Sequence, residues 1–310
     1  MKKIIRKTLQ ATADSRSGFL IETPRRGFIK CSTVFILIIL ILPGCSPIKH
    51  TISKDLAGSL SYGISNQSDI EVVKTGIPSY VLLLDGMIAE SPDSPELLLA
   101  GAKLNSTYAS LVSQETDRSV QLIDKARRYS QQSLCTIDGD WCGVGNQPFE
   151  QYKEFIDDVS DDEVEYLYTY GVTWASYISA HRGDMNAIAN LPKVKVTMKK
   201  IIELDDTYDY GGAHLYLGVL ETIVPPALGG KPGIAKSHFE RVIEITKGRH
   251  LMAKVLYAER YARPLFNREL YDQLLNEVLA ADPVEKGLTL SNVIAQEKAV
   301  QLQESADEFF

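Results

Sequence analysis

The chain has 310 residues, of which 45% are hydrophobic, with 33 Lys and Arg against 40 Asp and Glu and a formal net charge of −7. Before Cys45, eight basic residues (Lys2, Lys3, Arg6, Lys7, Arg16, Arg25, Arg26 and Lys30) are opposed only by Asp14 and Glu22, so this segment carries +6 and the remainder −13. An acidic body excludes nucleic acid as a partner class, because phosphate contacts need clustered Lys and Arg.

In chain order, Thr23-Pro-Arg25-Arg26-Gly-Phe28-Ile29-Lys30 resembles a twin-arginine export motif. Val34 to Leu42 is an unbroken apolar run, too short to span a bilayer. Leu42-Pro43-Gly44-Cys45 follows and resembles a bacterial lipobox, so residues 1–44 read as a lipoprotein signal peptide and Cys45 as its acylated acceptor. An uncleaved anchor is the alternative, and the twin-arginine and general export routes both stay open. Ser46 after the acceptor resembles lipoproteins sent to the outer membrane, which places the body on the periplasmic face of a bacterial membrane.

Residues 45–67 are polar and read as a tether, and 68–310 as one helical domain. Ser68 with Glu71 is a capping box opening a helix to about Ala89, which Pro78 kinks without ending. Leu97 to Val112 and Val120 to Leu134 read as the first antiparallel pair, with Ile123, Ala126 and Ser130 inward. Outside the cytoplasm disulfides persist, and Cys135 and Cys142 are the thiols left after Cys31 departs and Cys45 is acylated. They flank a short turn-rich segment, and a disulfide closing it is the first reading.

Asp157, Asp158, Asp161, Asp162 and Glu163 form an acidic cluster; with Ser160 and Glu163 as a capping box, a helix N-terminus explains it better than calcium. Glu163 to His181 is an aromatic-rich helix. Tyr166, Tyr170 and Trp174 are either core or the lining of a groove for an apolar ligand or peptide. Ala187 to Leu204 continues as two short helices broken at Pro192.

Tyr210 to Tyr261 reads as three helices. Leu215, Val219 and Leu220 lie among small residues in the first; Ile234, Ala235, Phe239, Val242 and Ile243 share a face of the second; Leu251, Val255, Ala258, Ala262 and Leu265 make a stripe in the third. Between the first two lies Pro225-Pro226-Ala227-Leu228-Gly229-Gly230-Lys231, longer than a helical hairpin needs and carrying an exposed-looking Leu228. Leu217 and Gly218, then Ala235, Phe239 and Val242, fit the tetratricopeptide pattern, with this loop as an insertion. Leu270 to Leu279 and Ala295 to Phe309 complete an all-α, tetratricopeptide-like solenoid of antiparallel helix pairs.

The sequence holds no GxSxG, HExxH, Walker loop or dinucleotide fingerprint, and its histidines do not pair at zinc spacing on one helix face. No enzyme, cofactor or metal is expected.

The run GGAHLYLGVLE, then PPALGGKP, HFERVIE, LMAKVLYAERYAR and LYDQLLNEVLAADP, resembles the T-component (TatT) family of lipoproteins associated with TRAP transporters. Tyr80 to Met87 and Ser91 to Leu99 resemble it too, and the likeness runs roughly from Asp69 to Phe310. The resemblance implies a periplasmic accessory protein that forms trimers, binds the transporter's substrate-binding subunit and handles an apolar small molecule. Pro225 to Lys231 is the expected ligand or partner site. The rival is a tetratricopeptide scaffold lipoprotein for outer-membrane or envelope assembly.

Overall fold

The computed structural model describes residues 58–112, 116–223 and 230–310. The export segment, Cys45, most of the tether and Pro225, Pro226, Ala227, Leu228 and Gly229 lie outside the described residues. Those described fall within one compact unit and are built of helices, with no strand among them.

Helix α1 (Ile70–Glu90) begins one residue later than Ser68 implies. Its cap is Asp69, in extended conformation, whose carboxylate accepts from Glu71 N at 2.9 Å and Val72 N at 3.1 Å. A carboxylate also suits the positive end of the helix dipole. Asp69→Ala should therefore cost about 1 kcal/mol, read as a lower urea midpoint at unchanged m-value. The helix continues through Pro78, and Val73, Ile77, Leu84 and Ile88 are buried while Val72, Leu82 and Leu83 on its other side are exposed. By length and composition α1 could cross a membrane, yet its buried stripe packs against α2 (Pro95–Leu111).

Helix α2 pairs with α3 (Asp117–Ile137), which buries Ala126 and Ser130 and half-buries Ile123. Two 3₁₀ turns, Gly139–Trp141 and Val144–Asn146, lead to α4 (Phe149–Asp157). Ser160 makes no capping hydrogen bond; the Asp161–Glu163 turn intervenes, and Glu163 instead accepts from Trp141 Nε1 at 2.7 Å. Helix α5 (Val164–Ala180) then packs on α3, with α6 (Met185–Ile188) and α7 (Leu191–Leu204) following. Pro192 sits in the first turn of α7, where its missing N–H is harmless, so it starts that helix rather than breaking one.

Helix α8 (Tyr208–Glu221) packs between α7 and α9 (Pro232–Ile245), and α10 (Leu251–Tyr257) runs into a π turn at Ala258–Ala262. In α9, Ala235, Phe239 and Val242 are buried while Ile234 is exposed. Leu251, Val255, Ala258 and Ala262 are buried, but Leu265 is 37% exposed. The π turn shifts the register, and Phe266 takes a left-handed conformation (φ 54°) that ends the segment.

Helices α11 (Arg268–Ala280), α12 (Thr289–Glu304) and α13 (Ala306–Phe309) close the order. Successive helices mostly pack on their neighbours, as stacked pairs do. One contact joins distant parts: Leu290 is buried among Val73, Ile77 and Leu98, and Gly287 N donates to Asn66 Oδ1 at 2.8 Å. The last helices thus brace the first, which a strictly one-dimensional stack would not do.

Candidate functional site

The α8–α9 hairpin carries the long connector, and its close packing follows from a missing side chain. A Cβ on Gly218 would lie 2.8 Å from Phe239 Cε1, so glycine alone lets the ring seat against the α8 backbone. Phe239 is 0% exposed and stacks on Tyr257 with ring centroids 5.4 Å apart. The connector ends at Gly230 and exposed Lys231, and Pro232 opens α9.

The hairpin also brings together two histidines 24 positions apart: His214 Nδ1 and His238 Nδ1 lie 2.8 Å apart. Burial lowers both pKa values. His214 is pushed down to about 4, with the nearness of His238 as the second cause; Asp206 opposes the shift and Arg241 adds to it. The pair is therefore neutral at pH 7, one Nδ1 donating and the other accepting. His214 Nε2 is buried without a hydrogen bond. No group of three metal-ligating side chains exists among the described residues, so the pair lacks what zinc would need.

The aromatic helix α5 divides its predicted residues. Tyr170 and Trp174 are buried, and their rings meet edge to face at 5.2 Å. Trp141 packs on Tyr170 at 6.2 Å and Tyr152 on Trp174 at 5.7 Å, while Tyr152 Oη and Thr197 Oγ1 share a hydrogen bond of 2.6 Å. These rings form one core with Leu167 and Met198. Tyr166 stands apart and half-buried, its pKa pushed up to about 12 by burial and the charges of Glu96 and Glu165.

Tyr170 also reaches an open groove of about 390 Å³, lined with Trp141, Gly145, Asn146, Arg128 and the Cys135–Cys142 disulfide. The disulfide pins the end of α3 to the turn after Trp141, which sets that wall of the groove.

Two cations stand behind these rings that sequence reasoning missed. The Arg127 guanidinium lies 4.0 Å over the Trp174 ring and 5.0 Å over Tyr170. Lys193 Nζ lies 6.0 Å over Trp174 and donates to Gly145 O at 2.9 Å. Neither pairs with a carboxylate among the described residues. Burial lowers the pKa of both, and the charge of Arg127 further lowers that of Lys193. The available signal was positional. Arg127 adjoins Ala126 and precedes Ser130 by three, which puts it on the buried stripe of α3.

No curated protein matches the sequence. Residues 66–310 do match the family model for the TRAP transporter T-component, and the chain belongs to that family.

Proposed function

We propose that this T-component is held by a lipid on Cys45 at the periplasmic face of a membrane, the outer membrane in preference, and docks the transporter's substrate-binding subunit through Pro225 to Lys231. The observation that carries the reading is the family match from residue 66 to 310. The family comprises transporter accessory components rather than enzymes. Support also comes from the α8–α9 hairpin, whose packing at Gly218 and Phe239 is firm enough to hold the two helices that the connector joins. In this reading the chain works as a trimer and takes an apolar ligand at the end of α5 where Tyr170 and Trp141 line a groove, while Trp174 backs it from the core and Tyr166 lies apart. A pure assembly scaffold draws no support from the family.

Deleting Ala227–Gly230 should leave helical circular dichroism intact and weaken capture of the substrate-binding subunit at least tenfold. Unchanged affinity of the deletion variant in a pull-down would count against the loop as the docking element.

A further inference from the structure

We propose that the outer face of α1 lies on the bilayer that holds the anchor, with Val72, Leu82 and Leu83 seated among neutral lipid headgroups and the helix axis along the membrane plane. This rests on the lipid-anchor part of the reading above and names how the body meets the membrane.

Three observations converge on it. First, the face is apolar and carries large side chains. Leu82 is 73% exposed, Val72 53% and Leu83 47%. Val72, Gly76, Ser79, Leu83 and Gly86 follow one another at four-three spacing, a single line along the helix, with Thr75, Leu82 and Ala89 beside it. A lone exposed leucine is ordinary, whereas an uncharged row of this length marks a contact surface. The two charges between Val72 and Ala89 stand off the line. Lys74 pairs with Glu71 at 3.4 Å, and Asp85 pairs with Lys125 and accepts from Tyr129 Oη at 2.9 Å. Second, nothing covers the row. A Cβ on Gly76 or Gly86 would meet no atom within 4 Å, so no other element packs there among the described residues.

Third, the face stands close to the anchor in the chain. Only residues 46–57 separate Cys45 from Gly58, a reach of at most about 45 Å, and α1 opens at Ile70. So short a tether holds the face near the bilayer at an effective concentration of roughly millimolar, where a weak interfacial affinity suffices. In length and composition α1 could cross a membrane, but its inner stripe is locked in place. Val73, Ile77, Leu84 and Ile88 share a core with Leu98 and Leu290, so the helix lies on the bilayer instead of spanning it. Charge selects the headgroup. The body from Cys45 onwards carries −13 and the row offers no cation, so an anionic surface repels it and a zwitterionic one does not.

The chain's own tryptophans, Trp141 and Trp174, are 5% and 3% exposed, so a tryptophan added at the surface reports its own surroundings. The full chain carrying Leu83→Trp, reconstituted in phosphatidylcholine vesicles with brominated acyl chains, should lose at least half of the added emission. Met185→Trp, at an exposed site on α6, should lose none. Adding Leu82→Glu to Leu83→Trp should cut the quenching at least threefold with no change in Tm, because the Leu82 side chain supports no core. Replacing half of the lipid with phosphatidylglycerol should also reduce it.

The proposal is overturned if Leu83→Trp is quenched no more than Met185→Trp, if Leu82→Glu leaves the quenching unchanged, or if phosphatidylglycerol strengthens it. It is equally overturned if the added emission shifts to the blue without quenching, because a protein surface, a second copy included, then covers the row. A chain whose mass shows no lipid on Cys45, yet whose added tryptophan is quenched, removes the anchor reading and leaves this face standing. A lipidated chain with an unquenched tryptophan removes the face alone.

Discussion

Phe239→Ala should lower the unfolding free energy by about 3–5 kcal/mol, the range for a phenyl ring deleted from a closed core. The site cannot collapse cheaply. On one side the ring meets Gly218, which has no side chain to move into the space, and on the other it stacks on buried Tyr257. For a chain of this size the drop corresponds to roughly 10 °C in Tm. Phe266→Ala is the matched control: that ring is exposed, and its loss should stay within about 0.5 kcal/mol. Gly218→Ala should also destabilise, by about 1–3 kcal/mol, because the new methyl strikes the same ring. Combined with Phe239→Leu, which shrinks the ring's footprint, it should cost less than the two changes summed. A Phe239→Ala loss below about 1 kcal/mol would mean the hairpin is not held at this contact, and the loop's platform would have to be sought elsewhere.

Much of the fold was legible because helix periodicity is a strong local signal. Ala235, Phe239 and Val242, and likewise Leu251, Val255, Ala258 and Ala262, were placed on buried faces by spacing alone, and they are buried. What escaped was decided by geometry that spacing does not carry. Leu265 lies beyond a π turn whose extra residue breaks the four-three count. Asp69 rather than Ser68 caps α1 because capping depends on where the first helical residue falls, and both side chains can do it. The candidate site divides the same way. Tyr170 and Trp174 were singled out and do sit together, but Arg127 and Lys193 come from helices more than sixty residues apart and meet only around Trp174. His214 and His238 failed a test of spacing on one helix because they face each other across two.

That histidine pair leads to the second large effect, a loss of stability in mild acid. His214, His238 and His250 all have folded-state pKa values lowered by burial. A group depressed in this way contributes its full stability above the unfolded value, near 6.5, and loses it as pH falls through the folded value. For His214, pushed down to about 4, the window runs from about pH 6.5 to 4, and the loss across it is about 3 kcal/mol. His250, with Nδ1 buried and unpartnered, acts in the same direction. Glu277, lowered by its hydrogen bond from Lys254, also loses its stabilisation on protonation, but only as pH falls below the ordinary carboxylate value of 4.5, so most of the histidine window lies above it. Thermal melts between pH 7.5 and 4 should show Tm falling steadily below about 6.5, and His214→Asn should flatten the slope while lowering Tm at pH 7.5. A parent Tm that holds level from pH 7 to 4.5 would sink the assignment. Because the pair bridges α8 and α9, charging both rings sets like charges 2.8 Å apart across the hairpin. Capture of the substrate-binding subunit through Pro225 to Lys231 should therefore weaken as pH falls towards 4, where His214 takes up its proton.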